Sequence, residues 1–182
     1  MKLLVLLVVF ITAFELLSQN PTEYKDDFSR IVWNNWKSDN AVGEFLLNKE
    51  EGHDGKGALE IAVGKDNPSS GSFCFTKRFP VFPGRTYNAV VWVKVEGLDD
   101  SGHVTLGFQG LDKDGKFLGT PVIAARRYAS VILDGWQRLI LTFKVPNEGL
   151  WAKTGFLLCT LGIEKSSQGK VLFDDFEFFE TK

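Results

Sequence analysis

The sequence has little that would serve as catalytic machinery. Histidine occurs only as His53 and His103, both in stretches that read as Gly/Asp-rich turns, Gly52-His-Asp-Gly55 and Ser101-Gly-His103. There is no His-x-x-x-His spacing, no Cys-x-x-Cys pair and no nucleophile elbow. Zinc-hydrolase, dithiol and α/β-hydrolase chemistries therefore lack their usual carriers. Cysteine is limited to Cys74 and Cys159, each inside an apolar run and neither flanked by the cationic groups that activate a thiolate. Two free buried thiols and one disulfide are both open on this evidence. No charge sign dominates: 21 basic and 23 acidic residues give a net charge of -2. No global basic field is available to hold nucleic acid or an anionic membrane. A neutral ligand suits this balance better than a polyanion, although it leaves a local basic patch open. Helical periodicity is missing too, outside the first stretch of the chain.

That first stretch reads as an export signal. Lys2 supplies the positive start, Leu3 to Phe14 an apolar run, and Ser18 a small residue before Gln19. The run is about a dozen residues, short of the ~20 that span a bilayer as a helix. The expected organisation is a signal helix over 1–18, removed on export to a secreted or periplasmic location, and one domain over 19–182.

What is abundant is aromatic and turn-forming. The chain has 16 Phe, 5 Trp and 18 Gly, a balance that favours strands. Thr86 to Val95 alternates cleanly: Tyr87, Ala89, Val91, Val93 and Val95 share one face, and Asn88, Val90, Trp92 and Lys94 the other. Similar runs lie at Val42–Leu47, Ala58–Val63, Ser72–Phe79, Val104–Leu111, Gln137–Val145, Thr154–Ile163 and Lys170–Phe179. Asp112-Lys-Asp-Gly115 reads as a hairpin turn into Lys116–Leu118. The stretch from Gly119 to Asp134 has no clear assignment. The pattern predicts an all-β, antiparallel two-sheet β-sandwich of jelly-roll type, preceded by the signal helix.

Two groups of residues point to a site. Trp33, Trp36 and Trp151 sit in polar, Gly/Asn/Lys-rich surroundings without an obvious core duty, and Trp92 lies on the strand face opposite Tyr87. Such rings stack on apolar faces of sugars while nearby amides and charges bond the hydroxyls. Asp174 and Asp175 interrupt the apolar run Val171–Phe176. Strict alternation turns one of them toward the core or a sheet edge, where a carboxylate needs a partner or a cation. Calcium suits such oxygen donors in an exported protein. Glu44, Glu60, Asp134 and Glu164 are the carboxylates that a glycoside-cleaving pair would draw on.

These stretches, taken in order, resemble the carbohydrate-binding modules of families 4, 9, 16 and 22, within the galactose-binding-like jelly rolls. The resemblance rests on Asp26-Asp-Phe28 followed by Trp33 or Trp36, on His53 through Ile61, and on Phe82-Pro-Gly84 through Tyr87 into Val91-Trp-Val-Lys94. Leu111 through Lys116, Trp136 through Pro146 and Phe173-Asp-Asp175-Phe complete it. It implies the two-sheet fold and a non-catalytic domain that binds poly- or oligosaccharide on a sheet face or at loop tips. By position it implies Trp92, Gln109, Arg126, Tyr128 and Glu164 on or beside that face, with Trp33, Trp36 and Trp151 from loops. It also implies a structural calcium held by Asp27, the Lys56 carbonyl and Asp174 or Asp175. Ser29 departs from the pattern, standing where an acidic residue is common. The resemblance further implies that a separate glycoside hydrolase or lyase is a partner, since the chain carries no catalytic domain of its own. Arg126-Arg127 hints at acidic sugars. A protein-interaction or adhesion domain is the alternative on the same sandwich, and a polysaccharide-degrading enzyme a third reading.

Overall fold

The computed structural model of the chain describes residues 23–55, 57–129 and 134–181. The expected signal helix and Lys56 lie outside the described residues. Eleven strands run through the rest: β1 (Glu23–Asp26), β2 (Asn34–Lys37), β3 (Gly43–Asn48), β4 (Ala58–Val63), β5 (Ser72–Pro80), β6 (Thr86–Glu96), β7 (His103–Leu111), β8 (Ile123–Tyr128), β9 (Gln137–Lys144), β10 (Phe156–Glu164) and β11 (Gly169–Glu180). They form two antiparallel sheets. One has the order β3-β4-β11-β6-β9 with β1 paired to β11, and the other the order β2-β5-β10-β7-β8. The predicted all-β sandwich is what the chain forms.

The core follows from alternation. Tyr87, Ala89, Val91 and Val93 of β6 point inward and are buried, as expected for one face of a half-buried strand. They meet Phe73, Phe75 and Phe79 of β5, Phe108 of β7, and Phe173, Phe176 and Phe178 of β11. The rings pack in offset contacts: Tyr87 stacks on Phe178 at 5.3 Å between centroids, and Phe79 on Phe178 at 4.7 Å. Cys159 faces this core, whereas Cys74 faces outward from the neighbouring strand, so the two thiols lie on opposite faces of one sheet and are both free.

Three features differ from the sequence reading. The unassigned stretch contains β8, which pairs with β7 from His103↔Tyr128 to Phe108↔Ile123. Lys116–Leu118 is not an assigned strand, but the expected hairpin persists as one bridge, Leu111↔Phe117, with Asp112 N–H donating to the Lys116 carbonyl and Leu118 N–H to the Gly110 carbonyl. His103 opens β7 and is 3% exposed rather than lying in a turn. The Asp174-Asp175 problem is solved by a β-bulge. The pairing of β11 with β6 shifts between Asp174 and Glu177, and Asp175 takes a left-handed backbone conformation (φ 48). The extra residue resets the alternation, so Phe173 and Phe176 both point inward, while Asp174, 1% exposed, is buried with backbone N–H groups of His53 and Asp175 on its oxygens.

Candidate functional site

Register places the outer face of the five-stranded sheet. Directly opposed residues share a face. One row crosses all five strands as Trp36, Cys74, Gly162, Thr105 and Arg126. The next row toward one end holds Ser72, Glu164, His103 and Tyr128. Toward the other end come Asn34, Thr76, Thr160 and Gly107, then Arg78, Leu158 and Gln109. Five of the eight residues proposed from sequence therefore share one surface: Trp36, Gln109, Arg126, Tyr128 and Glu164.

The middle of that surface is low because its residues are small. A Cβ at Gly162 would lie 2.7 Å from the Phe73 carbonyl oxygen, so only glycine fits there. The sides are high. Trp36 at the β2 edge is 55% exposed, and Phe117, beyond β7, is 64% exposed. The segment after Phe117 is pinned along β7: Leu118 N–H donates to the Gly110 carbonyl at 3.1 Å, and Gly110 N–H donates to Thr120 Oγ1 at 2.9 Å. Between these two rings runs a groove of about 550 Å³, floored by Thr76, Arg78, Gln109 and Leu158. Apolar walls with a few amide, hydroxyl and guanidinium groups are the composition of a small-ligand or glycan cleft.

At the other end of the face several polar atoms are buried without hydrogen-bond partners among the described residues: His103 Nδ1 and Nε2, and Thr105 Oγ1. His103 Nε2 lies 3.4 Å from Glu164 Oε2, near enough for an ion pair with protonated imidazole but not aligned as a hydrogen bond. The Tyr128 ring sits 5.3 Å from the imidazole. Buried polar groups in this state look to water or a ligand for their missing bonds. Cys74, on the floor between the two ends, has its thiol pushed up to about 11 by burial and, less, by the Glu164 carboxylate. At neutral pH it is therefore held mainly as the thiol rather than the reactive thiolate.

The remaining candidates lie elsewhere. Trp33 is corrected to the core: it is 4% exposed, packs edge-on against Phe28 and Phe176, and donates its indole N–H to Asp26 Oδ2 at 3.0 Å. Trp151 is half-buried in a short 3-10 helix (Gly149–Lys153) and packs on the core. Trp92 is on the outer face of the six-stranded sheet, so it cannot join Trp36. There it stacks on His53 at 3.8 Å and 17°, with the Arg138 guanidinium 5.8 Å from its ring.

Trp92 and His53 border a second basin, of about 990 Å³, which Asp27, Asp54 and Asp175 also line. His53 Nδ1 is 2.8 Å from Asp175 Oδ2 and 3.4 Å from Asp54 Oδ1. The three side chains offer donor atoms within 4.8 Å of one another. Asp174 has a different task. Its Oδ2 accepts from His53 N–H at 2.7 Å, its Oδ1 from Asp175 N–H at 2.7 Å, and the Asp54 backbone N–H adds a third bond. Burial nevertheless pushes its carboxyl up to about 6, with Asp175 adding repulsion. Asp174 thus anchors the 52–55 loop onto β11 by backbone hydrogen bonds.

Sequence reading missed Arg78, Asn34 and Phe117. Phe117 was visible as an aromatic directly after a polar turn; Arg78 and Asn34 had no signal without the register.

No family model matches the sequence, and no curated protein matches it. Solved structures do match in fold. The enzymatically active domain of tailspike protein 4 of bacteriophage CBA120 superposes with a TM-score of 0.64 at 12% identity, covering 85% of this chain and 20% of that one. The family 22 carbohydrate-binding and catalytic modules of a Clostridium thermocellum endo-1,4-β-D-xylanase, complexed with xylohexaose, give 0.59 at 17% identity, covering 91% and 29%. A family 61 carbohydrate-binding module in complex with β-1,4-galactotriose gives 0.53 at 15% identity, covering 83% and 90%. The chain thus spans only a fifth of the tailspike domain. At these identities the likeness is one of fold.

Proposed function

We propose that the chain is an exported, non-catalytic glycan-binding domain whose site is the outer face of the five-stranded sheet, with the glycan lying between Trp36 and Phe117. The observation that carries this reading is the convergence of Trp36, Gln109, Arg126, Tyr128 and Glu164 on one face beside a groove of about 550 Å³. The fold it shares with modules solved in complex with xylohexaose and galactotriose supports it. Sugar C–H faces would stack on the two rings, while Asn34, Gln109, Thr76 and Thr160 would bond hydroxyls. The buried, unpartnered atoms of His103 and Thr105 would receive ligand hydroxyls or bridging water at the far end. A separate polysaccharide-degrading enzyme would be the functional partner, the binding domain raising local concentration on the polymer.

The reading includes a structural calcium in the basin of the other sheet. The donors there suit a hard cation: Asp54 and Asp175 offer carboxylates beside His53 Nδ1, and Asp27 lines the same basin. Asp174, with its oxygens committed to backbone N–H groups, would hold the loop rather than the ion. When bound, calcium would supply structural cross-linking between the 52–55 loop and the β11 bulge.

Affinity gels containing xylan, β-1,4-galactan, β-glucan or acidic polysaccharides test the function. Retardation of residues 19–182 in at least one gel, abolished by Trp36→Ala, supports it. Unretarded migration in every gel refutes it.

A further inference from the structure

The net charge of the chain argues for a neutral ligand, but the charge is not evenly laid out. On the six-stranded sheet four cations are paired, Lys25 with Glu177 at 3.2 Å, Arg85 with Glu180 at 3.2 Å, Lys94 with Glu96 at 2.9 Å, and Lys170 with Glu96 at 3.2 Å, while Arg138 and Lys144 of β9 have no ion pair among the described residues. The outer face of the five-stranded sheet has no comparable set of pairs. Its arginines, Arg78 and Arg126, are exposed, and among the described residues neither has an ion pair. Asp112, in the turn that Arg78 overlies, spends its Oδ1 on the N–H groups of Asp114 and Lys116. The carboxylate of this face, Glu164, stands against His103 at the far end.

The groove itself is one-signed. Its lining contains Lys77 and Arg78 and no Asp or Glu. The Lys77 ammonium is drawn away, 4.5 Å over the Tyr24 ring, which leaves Arg78, whose guanidinium lies against the Gly115 turn, as the cation that lines the groove. A neutral sugar laid over Arg78 would strip water from a cation and return little. A carboxylate would return two parallel charge-assisted hydrogen bonds to the planar fork. Arg126 is three strands and four residues away in register, roughly 20 Å across the face by ordinary sheet spacings. Two separated cations on one face, one of them in a groove walled by two aromatic rings, match a polymer that repeats its charge, and not a single small anion.

We infer that the groove selects an anionic polysaccharide, a polyuronate, with Arg78 reading a carboxylate between the two aromatic walls and Arg126 a second one further along the chain. This inference rests on the glycan-binding reading above. The test is affinity electrophoresis of the full-length mature chain in polygalacturonate, alginate, dextran sulfate, xylan and β-1,4-galactan, and in polygalacturonate after methyl esterification. Arg78→Gln is compared with Lys144→Gln, a charge removed from the outer face of the other sheet, and with Trp36→Ala.

The expected result is retardation by a polyuronate that weakens at least about tenfold on esterification and on Arg78→Gln, but not on Lys144→Gln. Affinity should also fall as salt rises from about 0.05 to about 0.5 M. Retardation by dextran sulfate equal to that by the uronates, with Arg78→Gln and Lys144→Gln equally weakened, would mean unselective polyanion attraction and overturn the inference. Binding to xylan or galactan alone, sensitive to Trp36→Ala, would overturn it while leaving the glycan-binding reading intact. No retardation in any gel would remove both.

Discussion

Trp33 and Trp36 are three residues apart, and truncating each should produce opposite phenotypes. Trp36 is 55% exposed. A Trp side chain presents about 250 Å², so about 140 Å² of Trp36 faces solvent, and a stacked sugar would cover roughly half of that. At about 25 cal/mol per Å² the lost burial is about 1.5–2 kcal/mol, or about 10–30-fold in Kd. Stability should hardly change, because an exposed aromatic on an edge strand contributes within about 0.5 kcal/mol. Trp33→Ala removes a buried ring from between Phe28 and Phe176 and leaves Asp26 without the indole donor. Its cost should be about 3–5 kcal/mol, which lowers Tm by about 6–20 °C for a domain of this size. Isothermal titration with the retarding polysaccharide and thermal melts of both variants separate the two effects. Wild-type affinity in Trp36→Ala, or a wild-type melt in Trp33→Ala, would show that the assignment of the two rings is wrong.

Other consequences follow from the same geometry. Asp174→Ala strands the N–H groups of His53, Asp54 and Asp175, and should cost about 2–5 kcal/mol in chemical denaturation; a loss below about 1 kcal/mol would mean that the 52–55 loop is held by something else. If calcium occupies the Asp27, Asp54 and Asp175 basin, a hundredfold excess over Kd adds about 2.7 kcal/mol, so chelator should lower Tm by about 5–10 °C. An unchanged melt would dismiss the metal. Cys74 should alkylate slowly at neutral pH, because with a thiol near 11 only about one molecule in a thousand is thiolate at pH 8. The rate should rise about tenfold per pH unit toward 11 and fall when glycan covers the groove. Glycan binding without protection of Cys74 would move the ligand off this face.

The sandwich was legible because period-two alternation in Thr86–Val95 and Ala58–Val63 reports directly which side chains face inward. The site was legible only where a residue's face could be guessed. Gln109 lies in the run from Val104 to Leu111, nearly all of which is buried, so alternation hides that it points outward while Phe108 points in. Trp33 and Trp36 have similar polar neighbours in sequence. What separates them is Asp26, which accepts the Trp33 indole across seven residues, and Phe176, which arrives from the far end of the chain. Trp92 was placed on the correct side of its strand, but nothing in the sequence says that β6 belongs to the sheet opposite Trp36. The acidic pair was recognised as anomalous, whereas its solution, a left-handed Asp175 that resets β11, is a matter of pairing and is invisible in a single strand.

The most direct test of the glycan-binding face is a two-dimensional amide and indole NMR titration with oligosaccharides cut from whichever polymer retards the protein. The side-chain signals of Trp36 and Gln109 and the backbone signal of Phe117 should shift on binding, with the Trp33 and Trp92 indoles unmoved. Shifts centred on Trp92 and His53, with Trp36 unmoved, would place the site on the opposite sheet and contradict the account.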